Sequence, residues 1–166
     1  MSRESTIQVT ELDERAKTNM AEYSPQLALA RRLLAHEAGG RRGSEEIVEA
    51  ADVVCQKLRQ HLGKRIGPAG FDSLLARALH LSKRQFAFLE RVKFEQGGSA
   101  CLTGSRESVQ GHDPAEVGEG FATLLASFLW LLGKFVGDDM ALRQITTLWP
   151  EVLIRDVVSG TKETSE

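Results

Sequence analysis

The 166-residue chain has little cysteine: Cys55 and Cys101 are its two thiols, and they lie far apart in sequence. This excludes the disulfide scaffold of a small secreted domain, and a chain of this length buries enough surface to fold without disulfides or a metal. Cys55 stands among apolar residues and is predicted to be a buried thiol. Residues 1–5 are polar and lack the apolar core of a signal peptide. We therefore expect a cytoplasmic protein.

The sequence also lacks the residue patterns of catalytic, metal and nucleotide sites. Its four histidines, at positions 36, 61, 80 and 112, never recur at the spacing that puts two ligands on one helix face. Cys55 and His61 are six residues apart, about 120° around a helix, so they cannot share a face either. The glycine-rich stretches match no phosphate-binding loop, and no serine has a histidine partner in a recognisable motif. We predict no catalytic residue, no metal and no cofactor.

What the sequence does contain is one long apolar segment, residues 121–136. A surface helix shows a single apolar stripe, whereas this segment is apolar on nearly every face and should be surrounded by other helices. It falls short of the roughly 20 residues that span a bilayer, so no membrane span is predicted. Three of its side chains are expected to be almost fully buried: Leu125, Leu129 and Leu132.

Capping signals divide much of the chain into helices. Proline follows a capping or breaking residue at 24–25, 67–68 and 113–114, which places it at the first position of a helix. Asp113 is the strongest predicted N-cap, and Ser44 is predicted to cap another helix whose first turn carries Glu45 and Glu46. The pattern predicts an all-α bundle of five to six helices around a central apolar helix.

Several helix ends are predicted from shorter signals. Gly63 is expected to end the helix that begins at Ser44. Ser82 opens a capping box over residues 82–85 that should start a short helix. Asp138 is expected to cap the last helix. The side chains predicted to face inward from that helix are Ala141, Leu142, Ile145, Leu148 and Trp149.

Residues 91–103 change character, because apolar residues alternate with polar or small ones around a Gly-Gly pair. This pattern predicts a small β-hairpin. We expect residues 1–23 to form a flexible or partner-binding arm that the helical domain does not need for folding. The domain is predicted to span 24–158, and residues 159–166 a disordered tail.

Apolar side chains on this segment and on the hairpin are the candidates for a protein interface, since interfaces enrich aromatic residues. The candidates are Trp130, Phe128, Phe135, Phe94 and Leu102. Charge is unevenly distributed as well: residues 97–166 carry 5 Lys/Arg and 10 Asp/Glu, and residues 44–96 carry 9 and 7. Contact between a basic and an acidic part is one way in which two chains could associate.

Basic doublets support an alternative, because phosphate contacts need only cations in a row. The candidate phosphate contacts are Arg31, Arg32, Arg41, Arg42, Lys64 and Arg65. The overall charge of −2 gives no general reason to expect nucleic acid.

Three stretches, residues 67–79, 119–126 and 142–150, resemble a group of uncharacterised bacterial helical proteins. The resemblance covers roughly residues 44–158. It implies a bacterial, self-contained helical domain, and it implies no activity and no site residues.

Taken together, these features predict a non-catalytic bacterial adaptor or regulatory subunit that acts by helix-mediated contact with a protein partner or with itself. One alternative is a nucleic-acid-associated accessory protein that uses the basic doublets. Another is a helical domain that senses a small molecule in a pocket between helices.

Overall fold

A computed structural model describes residues 24–94 and 101–152. In chain order it contains α1 (Ser24–Ala38), α2 (Ser44–Ile66), α3 (Pro68–Lys83), a 3₁₀ helix (Ala87–Arg91), β1 (Lys93–Phe94), β2 (Leu102–Thr103), α4 (Ser105–Ser108), α5 (Pro114–Val136) and α6 (Asp138–Leu148). Five of these helices are long, and the predicted all-α bundle is confirmed. The proposed arm 1–23 and tail 159–166 lie outside the described residues.

Helix α5 is the centre of the bundle, as the sequence predicts. Asp113 is its N-cap and accepts a hydrogen bond from the backbone N–H of Ala115 at 3.3 Å. Helices α1, α2, α3 and α6 all pack against α5. The three side chains predicted to be buried in it are 1%, 5% and 0% exposed: Leu125, Leu129 and Leu132. An apolar helix covered on all sides explains why its sequence shows no polar face.

The connection between α3 and α5 is held against α5 through a glycine. Gly120 lies on α5 opposite the ring of Phe88 from the 3₁₀ helix, and a β-carbon at position 120 would overlap that ring. Phe88 also lies 6.1 Å from Phe121 between ring centroids. The missing side chain of Gly120 therefore makes room for an aromatic side chain that closes one end of the core.

Helix α5 is longer than the apolar run within it. Its 23 residues are long and apolar enough to cross a membrane by length and composition, and 67% of its most apolar window is buried inside the domain. The same burial is seen in the core helix of a bundle.

Four predicted helix boundaries are wrong. Helix α2 continues through Gly63 to Ile66, and Gly67, with a φ of +82°, follows its end. The N-cap position of α2 is Gly43, so Ser44 is its first helical residue. Ser82 lies inside α3, where its Oγ donates to the carbonyl oxygen of Ala78 at 2.8 Å instead of opening a capping box. Helix α6 likewise begins after Gly137 in the N-cap position, and Asp138 is its first residue.

The hairpin prediction is confirmed at the two strands that the structure describes. Strands β1 and β2 pair antiparallel, with Lys93 opposite Thr103 and Phe94 opposite Leu102. Leu102 points into the core, and the pair lies over α3 and α2. A two-residue ladder is marginal alone, so this packing is what stabilises it.

Candidate functional site

Helix α6 has one face that no part of the described chain covers. The residues of this outer face follow the spacing i, i+3, i+4, i+7, i+8, which is that of one side of a helix. Together they border a shallow open depression: Asp139, Leu142, Arg143, Thr146 and Thr147. The prediction that Leu142 points inward is wrong, since its side chain is 50% exposed. The buried residues of α6 lie on the opposite side of the helix: Ala141, Gln144 and Ile145.

The two threonines of the outer face are less polar than their composition suggests. The Thr146 hydroxyl donates to the carbonyl oxygen of Leu142 at 2.8 Å, and the Thr147 hydroxyl donates to that of Arg143 at 2.9 Å. Each hydroxyl is thus turned back onto its own helix, so that its proton is already used within α6. The outer face is a mostly apolar strip around Leu142, with one acidic and one basic residue along it.

Large exposed apolar side chains are concentrated beside this face. In the described residues four such side chains are exposed, and three of them fall within residues 135–142, at the corner between α5 and α6: Phe135, Met140 and Leu142. Single exposed apolar residues are ordinary on protein surfaces, but a cluster is typical of an interaction site. Of these three, only Phe135 was among the predicted interface residues.

The inner side of α6 is fixed by a polar contact that keeps the outer face in place. Gln144 is buried, and its Oε1 lies 2.6 Å from Nε2 of His61 on α2. Just beyond the helix, Nε1 of Trp149 donates to Glu37 at 3.2 Å, and Glu37 also pairs with Lys57. Hydrogen bonds between buried or half-buried groups hold α6 to α1 and α2. The outer face is thus presented on a rigid element.

The other predicted interface residues have different surroundings. Phe128 is 1% exposed and packs on Phe71, with 5.2 Å between ring centroids, so the prediction that it contacts a partner is wrong. The same correction applies to Leu102, whose side chain points from β2 into the core. Trp130 is half-buried, with Nζ of Lys134 5.1 Å from its ring centroid. The side chain of Phe94 lies outside the described residues.

Three of the six predicted phosphate contacts meet in one groove between α1 and the start of α5. Arg31, Arg41 and Arg42 border this groove, whose volume is about 390 Å³ and whose floor is mostly apolar. Arg31 is already paired there: its Nε donates to Glu119 at 2.8 Å, and this hydrogen bond lowers the pKa of the Glu119 carboxyl. The groove therefore offers fewer free positive charges than its arginine count suggests.

The other predicted phosphate contacts do not join this groove. Arg32 is exposed on α1, and Lys64 with Arg65 lies in the last turn of α2. Since α2 has 23 residues, its two ends are about 33 Å apart. The structure thus does not bring the six cations into one row.

Two thiols that are 46 positions apart in sequence are brought together between α2 and β2. The Cys55 and Cys101 side chains lie close enough for a hydrogen bond between their thiols, and both residues are 0% exposed. Asp52, one turn before Cys55, accepts hydrogen bonds from the backbone N–H groups of Cys101 at 2.8 Å and Leu102 at 2.9 Å. A single carboxylate on α2 therefore fixes the backbone at the second thiol and at the first residue of β2.

The two thiols have different acidities because of this contact. The hydrogen bond from Cys55 lowers the pKa of Cys101, and the nearby Arg59 guanidinium acts in the same direction. The same hydrogen bond, together with burial, raises the pKa of Cys55. Cys101 is thus the group that loses its proton first, and Cys55 is the hydrogen-bond donor that stabilises its thiolate.

Sequence reasoning recognised Cys55 as buried and missed its partner. The available signal was local: Asp52, Cys55 and Arg59 recur at i, i+3 and i+7, which places a carboxylate, a thiol and a cation on one side of α2. Nothing in the sequence indicates that residue 101 reaches that side. Among the described residues, no group of three or more His, Cys, Asp or Glu side chains could hold a metal ion.

Comparison of the chain with protein-family models, curated proteins and solved structures gave no significant match. The resemblance to bacterial helical proteins therefore stays a prediction.

Proposed function

We propose that this protein is a non-catalytic adaptor or regulatory subunit of the bacterial cytoplasm and that it works by contact through the outer face of α6. The observation that carries the proposal is the 50% exposure of Leu142 in the middle of that face. A leucine side chain that faces water contributes little to the stability of the fold. Covering it with an apolar surface of a partner is favourable, at about 25 cal/mol for each Å² removed from water.

The charges along the face favour a second copy of the chain as the partner. Asp139 and Arg143 are four residues apart, which is about one helical turn, and both border the same apolar strip. When two identical helices pair antiparallel, the position of the two-fold axis along the helix decides which residues meet. An axis near position 141 places Leu142 close to its own copy and Asp139 of each chain opposite Arg143 of the other, so that the face is complementary to itself in charge.

The size of the face determines how tightly the two copies are expected to bind. A stable interface buries about 800 Å² per partner and involves about 20–30 residues on each side. The outer face of α6, with Phe135 and Met140 at the neighbouring corner, supplies only the centre of such an area. We therefore expect a reversible dimer with a dissociation constant in the micromolar range, which corresponds to about 8 kcal/mol.

Replacing Leu142 by Glu tests this function directly. The substitution puts two like charges opposite one another at the centre of the paired faces, and we expect the dimer to weaken at least tenfold, which is about 1.4 kcal/mol. Val53→Glu is the matched control, since Val53 is exposed to a similar degree but lies on α2. Sedimentation velocity over a concentration series measures both variants and the unmodified protein.

The unmodified chain is expected to shift from monomer to dimer with rising concentration, and Val53→Glu should follow the same curve. A strict monomer at a few hundred micromolar would contradict self-association through this face. Equal dimerisation by the Leu142→Glu variant would also contradict it, because the contact would then lie elsewhere.

A second candidate function is supported by the groove between α1 and α5. Its apolar floor and its arginines fit a small anionic molecule with an apolar body. Such a ligand would raise the melting temperature of the protein, because it binds only the folded state. A nucleic-acid-binding role predicts a different result, namely binding of an oligonucleotide that weakens steeply as salt rises.

A further inference from the structure

We propose that Cys55 and Cys101 form a redox site, in which a hydroperoxide such as hydrogen peroxide converts the two thiols into an intramolecular disulfide. The juxtaposition that carries this proposal is a buried thiol on α2 beside the buried thiol of Cys101, directly before β2; the backbone N–H of Cys101 donates at 2.8 Å to Asp52, one helical turn from Cys55. The two residues belong to different elements, so that their approach is a product of the fold. The proposal is independent of the contact face on α6.

Hydrogen bonds to Asp52 hold the backbone at Cys101 against α2, which carries Cys55. Asp52 binds the backbone of residues 101 and 102 through one carboxylate oxygen, and its other oxygen accepts a hydrogen bond from Gln56 at 2.6 Å. The carboxylate is therefore itself oriented along α2. A disulfide tolerates only a narrow range of geometries, and this anchor fixes the backbone at residue 101 relative to α2.

The two thiols are suited to different steps. Cys101 has the lower pKa of the pair, so that it supplies the thiolate that attacks. Its Sγ bonds to one oxygen of hydrogen peroxide as the O–O bond breaks, which gives a sulfenic acid on Cys101 and a hydroxide that takes up a proton to become water. With hydrogen peroxide, Cys55 Sγ then attacks Cys101 Sγ, the S–O bond breaks, and the proton of Cys55 leaves with the hydroxide as a second water. Two thiols and one peroxide become one disulfide and two waters.

Access to the pair is controlled by strand β2. Both cysteines are buried, and the ladder next to Cys101 has two residue pairs in the described structure. Opening it breaks two hydrogen bonds to Asp52 and exposes Leu102, so the open form is a minor state of the folded protein. Opening brings Cys101 to solvent, and the hydrogen bonds to Asp52 return it to Cys55. The fold therefore limits oxidation to reagents small enough to enter during such openings.

Peroxide titration of the full chain tests the site. The fully reduced protein is treated with hydrogen peroxide, its remaining thiols are blocked with N-ethylmaleimide, and its intact mass is measured. We expect a monomer that has lost two hydrogens and takes up no label, with one cross-linked peptide pair containing residues 55 and 101. The oxidised form should unfold at a higher temperature than the reduced form, because the cross-link restrains the unfolded chain.

Single-cysteine variants separate the two roles. In Cys55→Ser the sulfenic acid on Cys101 has no thiol to resolve it, so it should be trapped by dimedone. In Cys101→Ser, Cys55 should react at least tenfold more slowly. Asp52→Ala frees β2 and should speed alkylation of Cys101 in the reduced protein several-fold. Folding of each variant is checked by circular dichroism.

Two results would overturn the proposal. One is a folded protein that keeps both thiols free after exposure to millimolar peroxide. The other is a disulfide that forms only between chains or only after denaturation.

Discussion

Replacement of Phe128 by Ala is expected to lower the free energy of unfolding by about 3–5 kcal/mol, the range for a buried Phe replaced by Ala. Phe128 is 1% exposed in the middle of α5 and packs against the ring of Phe71 on α3. Its loss leaves a cavity at the contact between α5 and α3, and α5 cannot move to fill it because four helices pack against it. Urea denaturation measures the effect, with the slope m unchanged if the folded state stays compact.

Phe135 provides the matched control for this experiment. It is the same residue type on the same helix, seven positions later, and it is 63% exposed. Phe135→Ala should change the free energy of unfolding by less than about 0.5 kcal/mol, as is usual for surface substitutions. Similar losses in both variants would contradict the assignment of Phe128 to the core and Phe135 to the surface.

Replacement of Gly104 by Ala is expected to cost about 2–4 kcal/mol, because it combines backbone strain with a steric overlap. Gly104 has a φ of +75°, a conformation that residues with a β-carbon seldom adopt. A β-carbon at this position would also overlap the carbonyl oxygen of Arg91, which belongs to the backbone and cannot rotate away. The close approach of these two segments brings β2 and α4 next to the 3₁₀ helix.

Gly111 separates the two contributions. Its φ of +81° is almost the same, but a β-carbon there would meet nothing within 4 Å. Gly111→Ala should therefore cost only the strain, about 1 kcal/mol. Thermal and urea unfolding of both variants measure the difference. Equal costs would show that the contact with Arg91 has no energetic weight.

Much of the architecture follows from local sequence features. The Asp113 cap, the helix starts at Pro68 and Pro114 and the apolar character of α5 depend on residues within one helix, and each is confirmed. Gly63 shows the limit of this reasoning. A glycine inside a helix costs only about 1 kcal/mol, and the buried contacts of Leu58 and Leu62 on α2 outweigh that cost. Only Gly67, with positive φ, ends the helix.

The residues of the candidate sites depend on tertiary contacts that the sequence does not encode locally. On α5, nearly every face is apolar, so the sequence cannot show that Phe128 is covered and Phe135 is not. On α6, Leu142 lies one position from the buried Ala141, and a shift of about 100° around the helix separates inward from outward. The pairing of Cys55 with Cys101 requires β2 to fold back onto α2, which no spacing along the chain predicts.

The measurement that tests the contact account most directly is a charge-reversal cycle on the outer face of α6. Asp139→Arg and Arg143→Asp are made singly and together, and the dissociation constant of each dimer is measured by sedimentation. The two-fold axis makes the contact between positions 139 and 143 occur twice in each dimer. Either single reversal therefore places like charges opposite one another at both contacts, and we expect at least tenfold weaker association. The double variant restores opposite charges and should return to within about threefold of the unmodified chain, with the coupling of the two sites giving the energy of the pairs. A double variant as weak as the single variants would contradict the proposed pairing of Asp139 with Arg143 across the two copies.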